Sequence, residues 1–213
     1  MTSLLPKDET IDLFSDFEKP LLNFSLAVTW DSAEIYIRNF LGIKKKLTDF
    51  IELDFTCVMF DKYNKMIDSI CSPKYNSWLI HNNFPLGKSY SKDGAFEHFD
   101  YESKNDPRYK KVISIDLARI NNETETIFFY LNFDLKKIKS PSFSSISSLQ
   151  LMIFDDNTLK NIFSEHYIST ESSSQKIGIF VLGKLYREAN HWKFKSIRKT
   201  INEKTFVKLT TGY

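Results

Sequence analysis

Residues 177–197 read IGIFVLGKLYREANHWKFKSI, and this stretch decides the fold class. Two runs rich in β-branched and aromatic residues, 177–186 and 192–197, stand on either side of a polar break. In the second run Trp192, Phe194 and Ser196 lie opposite Lys193, Lys195 and Ile197. A period of two is the mark of a strand with one buried face, whereas an amphipathic helix would repeat its apolar residues three and four apart.

The same signature recurs along the chain. Residues 24–30 (FSLAVTW), 51–60 (IELDFTCVMF), 112–117 (VISIDL), 126–133 (TIFFYLNF) and 149–154 (LQLMIF) are further strands by composition and alternation. In 112–117 the apolar Val112, Ile113, Ile115 and Leu117 bracket Ser114 and Asp116. The breaks use Asn, Asp and Ser as turn formers, at 61–64, 121–122, 155–157 and 172–174. Strands at this density, with few helical patterns between them, predict an all-β protein. The expected architecture is a β-sandwich of two mainly antiparallel sheets with one or two short helices.

Two segments break the rhythm. Residues 32–49 read as a short helix or an irregular excursion with Lys44, Lys45 and Lys46 at its exposed end, and residues 159–163 as a further helical turn. The Ser-rich stretch 140–148 reads as a loop feeding the next strand, because no separate core lies on either side of it. One domain over residues 1–213 is therefore expected.

Composition narrows the class further. The 213 residues are 42% hydrophobic, enough for a core without staples, and 29 Lys+Arg against 27 Asp+Glu leave a formal charge of +2. That balance excludes a polycationic grip on nucleic acid. Six glycines and six prolines exclude collagen-like and linker-rich chains. Asp8, Glu9, Asp12 and Asp16 stand where a secretory signal would carry its apolar stretch, and no apolar run approaches the roughly 18 to 20 residues of a membrane span. Two cysteines read as reduced thiols rather than a disulfide framework, and the expected compartment is the cytoplasm.

Catalytic patterns are missing: there is no P-loop, no glycine-rich dinucleotide turn, no His-Glu-x-x-His and no Gly-x-Ser-x-Gly. His81, His98, His166 and His191 are scattered, and neither they nor the cysteines have metal-ligand spacing. Cys57, in an apolar strand between Thr56 and Val58, reads as a buried inert thiol, and a non-enzymatic protein is expected. Oxygen-rich clusters carry more chemistry. Glu52 and Asp54 share one strand face, which either meets solvent or approaches a cation. A second cluster runs through Ser91-Lys92-Asp93-Gly94-Ala95 to Asp100, Glu102, Asn105 and Asp106. Basic residues gather at Lys44–Lys46, at 136–139 and at 193–199, where interleaved aromatics such as Trp192 would suit single-stranded bases or ordinary solvated strand faces.

Taken in order, these segments resemble the TerD family of tellurite-resistance and general-stress proteins. Residues 180–195, FVLGKLYREANHWKFK, resemble the family's "FGELYRHNGEWKFRA", with Gly183, Leu185, Tyr186, Arg187, Trp192, Lys193 and Phe194 matched. Residues 51–54 stand where the family has "FDLD", residues 61–65 match its "xxNGK" hairpin, 5–13 resemble "LxKGxxVxL", and 26–31 resemble "VGLGWD". His81-Asn82-Asn83 lies at the family's "YNN", and residues 91–98 (SKDGAFEH) resemble "SPDGSVTH".

The resemblance implies a bacterial stress or tellurite-resistance role as a binding or scaffolding module, with protein partners from such a system, and a calcium site. It also implies an insertion at about 32–49, a stretch that family members mostly lack. The family continues with "TGDNRTGEGDGDDE", its calcium-associated loop, where this chain has FDYESKNDPRYKK at 99–111. The glycines are gone, and three carboxylates face four bases. Such a loop lacks the backbone freedom and negative charge that hold Ca²⁺. The expectation is a weakened calcium site, with Asp54, Asn83, Asp93 and Asp100 as its remaining ligands. A single-stranded nucleic-acid-binding module, using the Lys-rich strands and loops, is the alternative.

Overall fold

The strands read from alternation form, and they pair into two antiparallel sheets. The computed structural model describes residues 9–14, 19–31, 33–38, 44–49, 53–100, 111–133, 146, 148–167, 179–189 and 191–211. In chain order its elements are β1 (Thr10–Asp12), β2 (Asn23–Trp30), β3 (Ala33–Arg38), β4 (Lys44–Asp49), β5 (Leu53–Phe60), β6 (Met66–Ile70), α1 (Asn76–His81), β7 (Phe96–Asp100) and β8 (Lys111–Asp116). There follow β9 (Thr126–Phe133), β10 (Leu149–Asp155), β11 (Asn161–Tyr167), β12 (Ile179–Glu188), β13 (His191–Ile201) and α2 (Glu203–Thr211). One sheet has the order β1-β13-β12-β9-β5-β6, the other β11-β10-β2-β8-β7.

Alternation assigns each sheet its inner face. Phe24, Leu26, Val28 and Trp30 of β2, with Ile113, Ile115, Leu151 and Ile153, meet Leu53, Phe55, Cys57, Met59, Ile127, Phe129, Leu131 and Phe194 from the facing sheet in one core. β5 is buried along its whole length, which explains its near-continuous apolar run. Its other face, with Val58 and Phe60, belongs to a second core that also holds Tyr130, Val181, Ile201, Leu79 of α1 and Phe206 of α2. The two helices thus cover the outer face of the six-stranded sheet. Phe206 packs edge-on to Tyr130 at 4.9 Å and stacks on Phe84 at 5.6 Å.

The registers of β12 against β9 and β13 shift between Val181 and Gly183. Leu182 and Leu185, three residues apart, consequently both lie between the sheets, while Val181 lies in the helix-covered core. A bulge of this kind places two successive residues on one side and re-aims the rest of the strand.

Two expectations need correction. Residues 32–49, read as a short helix or an irregular excursion, contain the antiparallel strands β3 and β4, paired from Ala33↔Asp49 to Arg38↔Lys44. The AEIYIR run of β3 is rich in β-branched and aromatic residues, and that preference wins. Residues 159–163, read as a helical turn, close the β10–β11 hairpin instead. Asp155 accepts the Asn157 N–H at 2.8 Å and the Thr158 hydroxyl at 3.0 Å, Leu159 takes a φ of 56°, and β11 starts at Asn161. Among the described residues the α-helices that form, α1 and α2, lie elsewhere in the chain.

An ionic link also ties the sheets. Glu165 of β11 is fully buried, accepts the Ser196 hydroxyl of β13 at 2.9 Å and pairs with Arg198, which also lies over the Tyr167 ring. Among the described residues no helix is long and apolar enough to cross a membrane.

Candidate functional site

The oxygen-rich positions singled out in the sequence fall on β5, on the segment after α1, and on the turn leading into β7. The hairpin joining β5 to β6 is organised by Asp61, whose Oδ1 accepts the N–H groups of Tyr63 and Lys65, both at 2.8 Å, with Asn64 at a φ of 60°. After β6, Cys71 bridges back to Lys88, so the chain from 88 to 92 runs beside the end of β6.

Asp54 is buried, not solvent-facing. Its carboxylate accepts the Thr56 hydroxyl at 3.1 Å and the Ser72 N–H at 3.3 and 3.4 Å, while Asn132 donates to Thr56 in turn. Glu52, read as its partner on the same face, lies outside the described residues. Asn83 is exposed, directly past the end of α1, with a φ of 55° and its N–H donated to the Ile80 carbonyl.

Asp93 builds a turn. Its Oδ1 accepts the Ser91 hydroxyl at 2.5 Å and the Ala95 N–H at 3.0 Å, and its Oδ2 accepts the Asn121 N–H at 3.0 Å. Gly94 completes the turn with a φ of 67°, a conformation that favours glycine. Burial alone would raise the Asp93 pKa, but the bonds from Ser91, Ala95 and Asn121 outweigh it and hold the carboxyl below its ordinary range. Asp100 ends β7, and its side chain, like residues 101–110 with Glu102, Asn105 and Asp106, lies outside the description.

Asp54 and Asp93 are therefore tied to different segments by separate sets of donors. Calcium takes six to eight oxygens with lone pairs turned toward the ion. Both carboxylates present theirs to protein N–H and O–H groups, so the described donors as arranged do not fit that ion. Among the described residues no three His, Cys, Asp or Glu side chains group as metal ligands.

Asp68 of β6 escaped the sequence reading. It is 8% exposed, and its two oxygens accept the Lys88 ammonium at 2.6 and 2.8 Å while one also accepts the Lys92 N–H at 2.8 Å. The sequence signal is a charged residue inside the apolar MIDSI run, but its partner stands 20 positions further on.

Cys57 and Cys71 are both buried, free thiols. Burial, reinforced by the negative charge of Asp68, pushes the Cys57 thiol far up; burial and the charge of Asp54 do the same to Cys71. Of the histidines, His98 is buried in β7, whereas His81, His166 and His191 are exposed on separate elements.

The basic run 193–199 is not a free cationic stripe. Lys193 pairs with Glu188 at 2.6 Å and with Asp12 at 3.4 Å, and Arg198 is turned to Glu165. Residues 136–139 lie outside the described residues, as do the side chains of Lys44, Lys45 and Lys46.

Comparison with known proteins agrees with this fold. Curated proteins yield no match. Among solved structures, a homologue of telluride resistance protein (TerD) from Streptomyces coelicolor A3(2) superposes with a TM-score of 0.59 at 10% identity, over 89% of this chain and 96% of that one. A second crystal structure, of a protein of unknown function, gives 0.57 at 14% identity, over 90% and 97%. At these identities the likeness concerns the fold alone. The family model for the TerD domain matches residues 1–213, from one end of the sequence to the other, and the chain belongs to the TerD domain family.

Proposed function

We propose that the protein is a non-enzymatic binding or scaffolding module of a bacterial tellurite-resistance or general-stress system, working in the cytoplasm with protein partners of that system, and that its calcium site is degraded. The observation that carries the reading is the TerD-domain match over residues 1–213. The non-enzymatic part draws support from the thiols, since the thiolate is the nucleophile and burial keeps Cys57 and Cys71 protonated. The degraded site draws support from the donors that Asp54 and Asp93 already accept, and from the loss of glycine and acid between 99 and 111.

The test is complementation in a tellurite-exposed bacterial strain lacking the gene. Full resistance is expected from variants with Cys57 or any one histidine replaced, and loss of resistance in a folded variant of that set would favour catalysis. A thermal melt with millimolar calcium tests the metal separately. The melting temperature should not move, because a ligand that binds only the folded state must raise it. A rise that vanishes in Asp54→Asn or Asp93→Asn would restore the calcium site.

A further inference from the structure

On the outer face of the six-stranded sheet, Lys184 of β12 stands in register between Phe128 of β9 and Lys195 of β13. Its ammonium lies over two rings, 4.9 Å from the centroid of Tyr186 and 5.8 Å from that of Phe128. Lys184, Tyr186 and Phe128 are all half-buried, at the margin of the helix-covered core against which Phe128 packs. Among the described residues Lys184 pairs with no carboxylate.

Lys193, two residues from Lys195 on β13, is its counterpart. It pairs with Glu188 at 2.6 Å and with Asp12 at 3.4 Å. The bonds to Glu188 and then Asp12 hold the Lys193 ammonium above its ordinary pKa, whereas burial, and after it the charge of Lys195, draws Lys184 below. A ring face attracts a cation but takes no hydrogen bond of a carboxylate's strength from it. Like charges directly opposite on neighbouring strands are unfavourable, and the Lys184–Lys195 pair is relieved when one of them loses its charge.

These surroundings suit an amine that is acylated. The neutral amine is the nucleophile, and half-exposure leaves it within reach of a small donor. The Lys195 ammonium beside it is matched to a phosphate leaving group. The amide that results is uncharged and lies against the Tyr186 and Phe128 rings.

We propose that Lys184 is a modification site, acylated on Nζ by a small acyl phosphate whose phosphate group is received by Lys195. The amine nitrogen attacks the acyl carbon, the bond from that carbon to the phosphate oxygen breaks with its electron pair leaving on phosphate, and the proton of the amine passes to water. One of two adjacent cations on the outer face is thereby removed, so the modification is a charge switch on that face. The site does not depend on the resistance role.

The experiment treats the full chain with limiting acetyl phosphate, and in parallel with acetic anhydride, which carries no phosphate, and follows each lysine by peptide mass spectrometry. With acetyl phosphate at about pH 8, Lys184 should be acetylated at least about fivefold faster than Lys193, because a pKa lower by about one unit raises the neutral fraction about tenfold. In urea the difference should vanish, since the folded sheet sets the two lysines apart. Lys195→Met should slow Lys184 at least about threefold with acetyl phosphate and by less with the anhydride. Should that variant misfold, the wild-type comparison with and without urea decides alone. Equal rates for Lys184 and Lys193 in the folded chain, a preference that survives unfolding, or an unchanged acetyl phosphate rate in folded Lys195→Met would overturn the proposal.

Discussion

The Lys88 ammonium stands 2.6 Å from one oxygen of Asp68 and 2.8 Å from the other, a protein cation seated on a carboxylate that is 8% exposed. Beside it the Lys92 N–H supplies a third bond to Asp68. Removing the ammonium leaves a largely buried charge with one donor. Lys88→Met should therefore destabilise the fold by about 2 kcal/mol, less than for a fully buried pair because Lys88 keeps 32% of its exposure. Asp68→Asn on top of Lys88→Met should recover part of that loss. Urea unfolding of the four proteins of this cycle measures the coupling, and additive single effects would show that the pair contributes nothing.

Gly183 is matched in the family motif for a reason that the packing supplies. A Cβ built on it would meet Cζ of Phe194 at 2.5 Å and the Lys195 carbonyl at 2.6 Å. Neither gives way easily, because Phe194 is fully buried and also packs on Phe129 and Phe163. Gly183→Ala should cost about 2–3 kcal/mol by overpacking. Phe194→Leu removes the ring but not the carbonyl, so the double variant should fall short of the sum by a measurable margin. A shift of less than about 2 °C in the melting temperature of Gly183→Ala would contradict this packing.

Acid should act on the Asp93 turn. With its folded pKa held below the ordinary value, protonation is easier in the unfolded chain. The turn's contribution is complete above about pH 4 and is lost as pH falls through the lower, folded value. Asp93→Asn keeps the shape but gives up the charge-assisted bond from Asn121, so it should be less stable at neutral pH by about 1 kcal/mol and less acid-sensitive between about pH 4 and 2. Parallel slopes for the two proteins in that window would remove Asp93 from the acid response.

Seven strands were legible because each carries an apolar face that repeats every second residue, as the inward Phe24, Leu26 and Val28 of β2 do. β6 was not legible, since Asp68 and Ser69 interrupt its run and become tolerable only against Lys88 and the chain from 88 to 92. β11 hides for a similar reason: Glu165 is an acid at a core position, satisfied by Ser196 and Arg198 from another sheet. α2, EKTFVKLTT, has modest helix propensity and owes its place to Phe206, packed among Phe84, Tyr130 and Trp78. At the site, the Asp93 turn could be read from Ser91, Asp93 and Gly94. The burial of Asp54 could not, because its cover is Ser72, 18 residues away and unrelated in pattern.

The two cysteines give the last prediction. Thiol reagents attack the thiolate, and both side chains are buried with pKa values driven up, chiefly by desolvation and then by Asp68 for Cys57 and Asp54 for Cys71. Cys57 pairs with Phe129 across the central β5–β9 ladder, so exposing it requires the six-stranded sheet to open. Cys71 lies just past the end of the edge strand β6, bridged to Lys88, and a smaller opening of this edge would reach it. At about pH 8 the native protein should react slowly with a disulfide reagent at both positions, and Cys71 should react first. Added urea should speed Cys57 with the steep dependence of global unfolding, and Cys71 with a shallower one. Peptide mapping after timed quenching separates the two rates. Rapid labelling of Cys57 in the absence of denaturant would show an accessible thiolate and would reopen the case for a nucleophile.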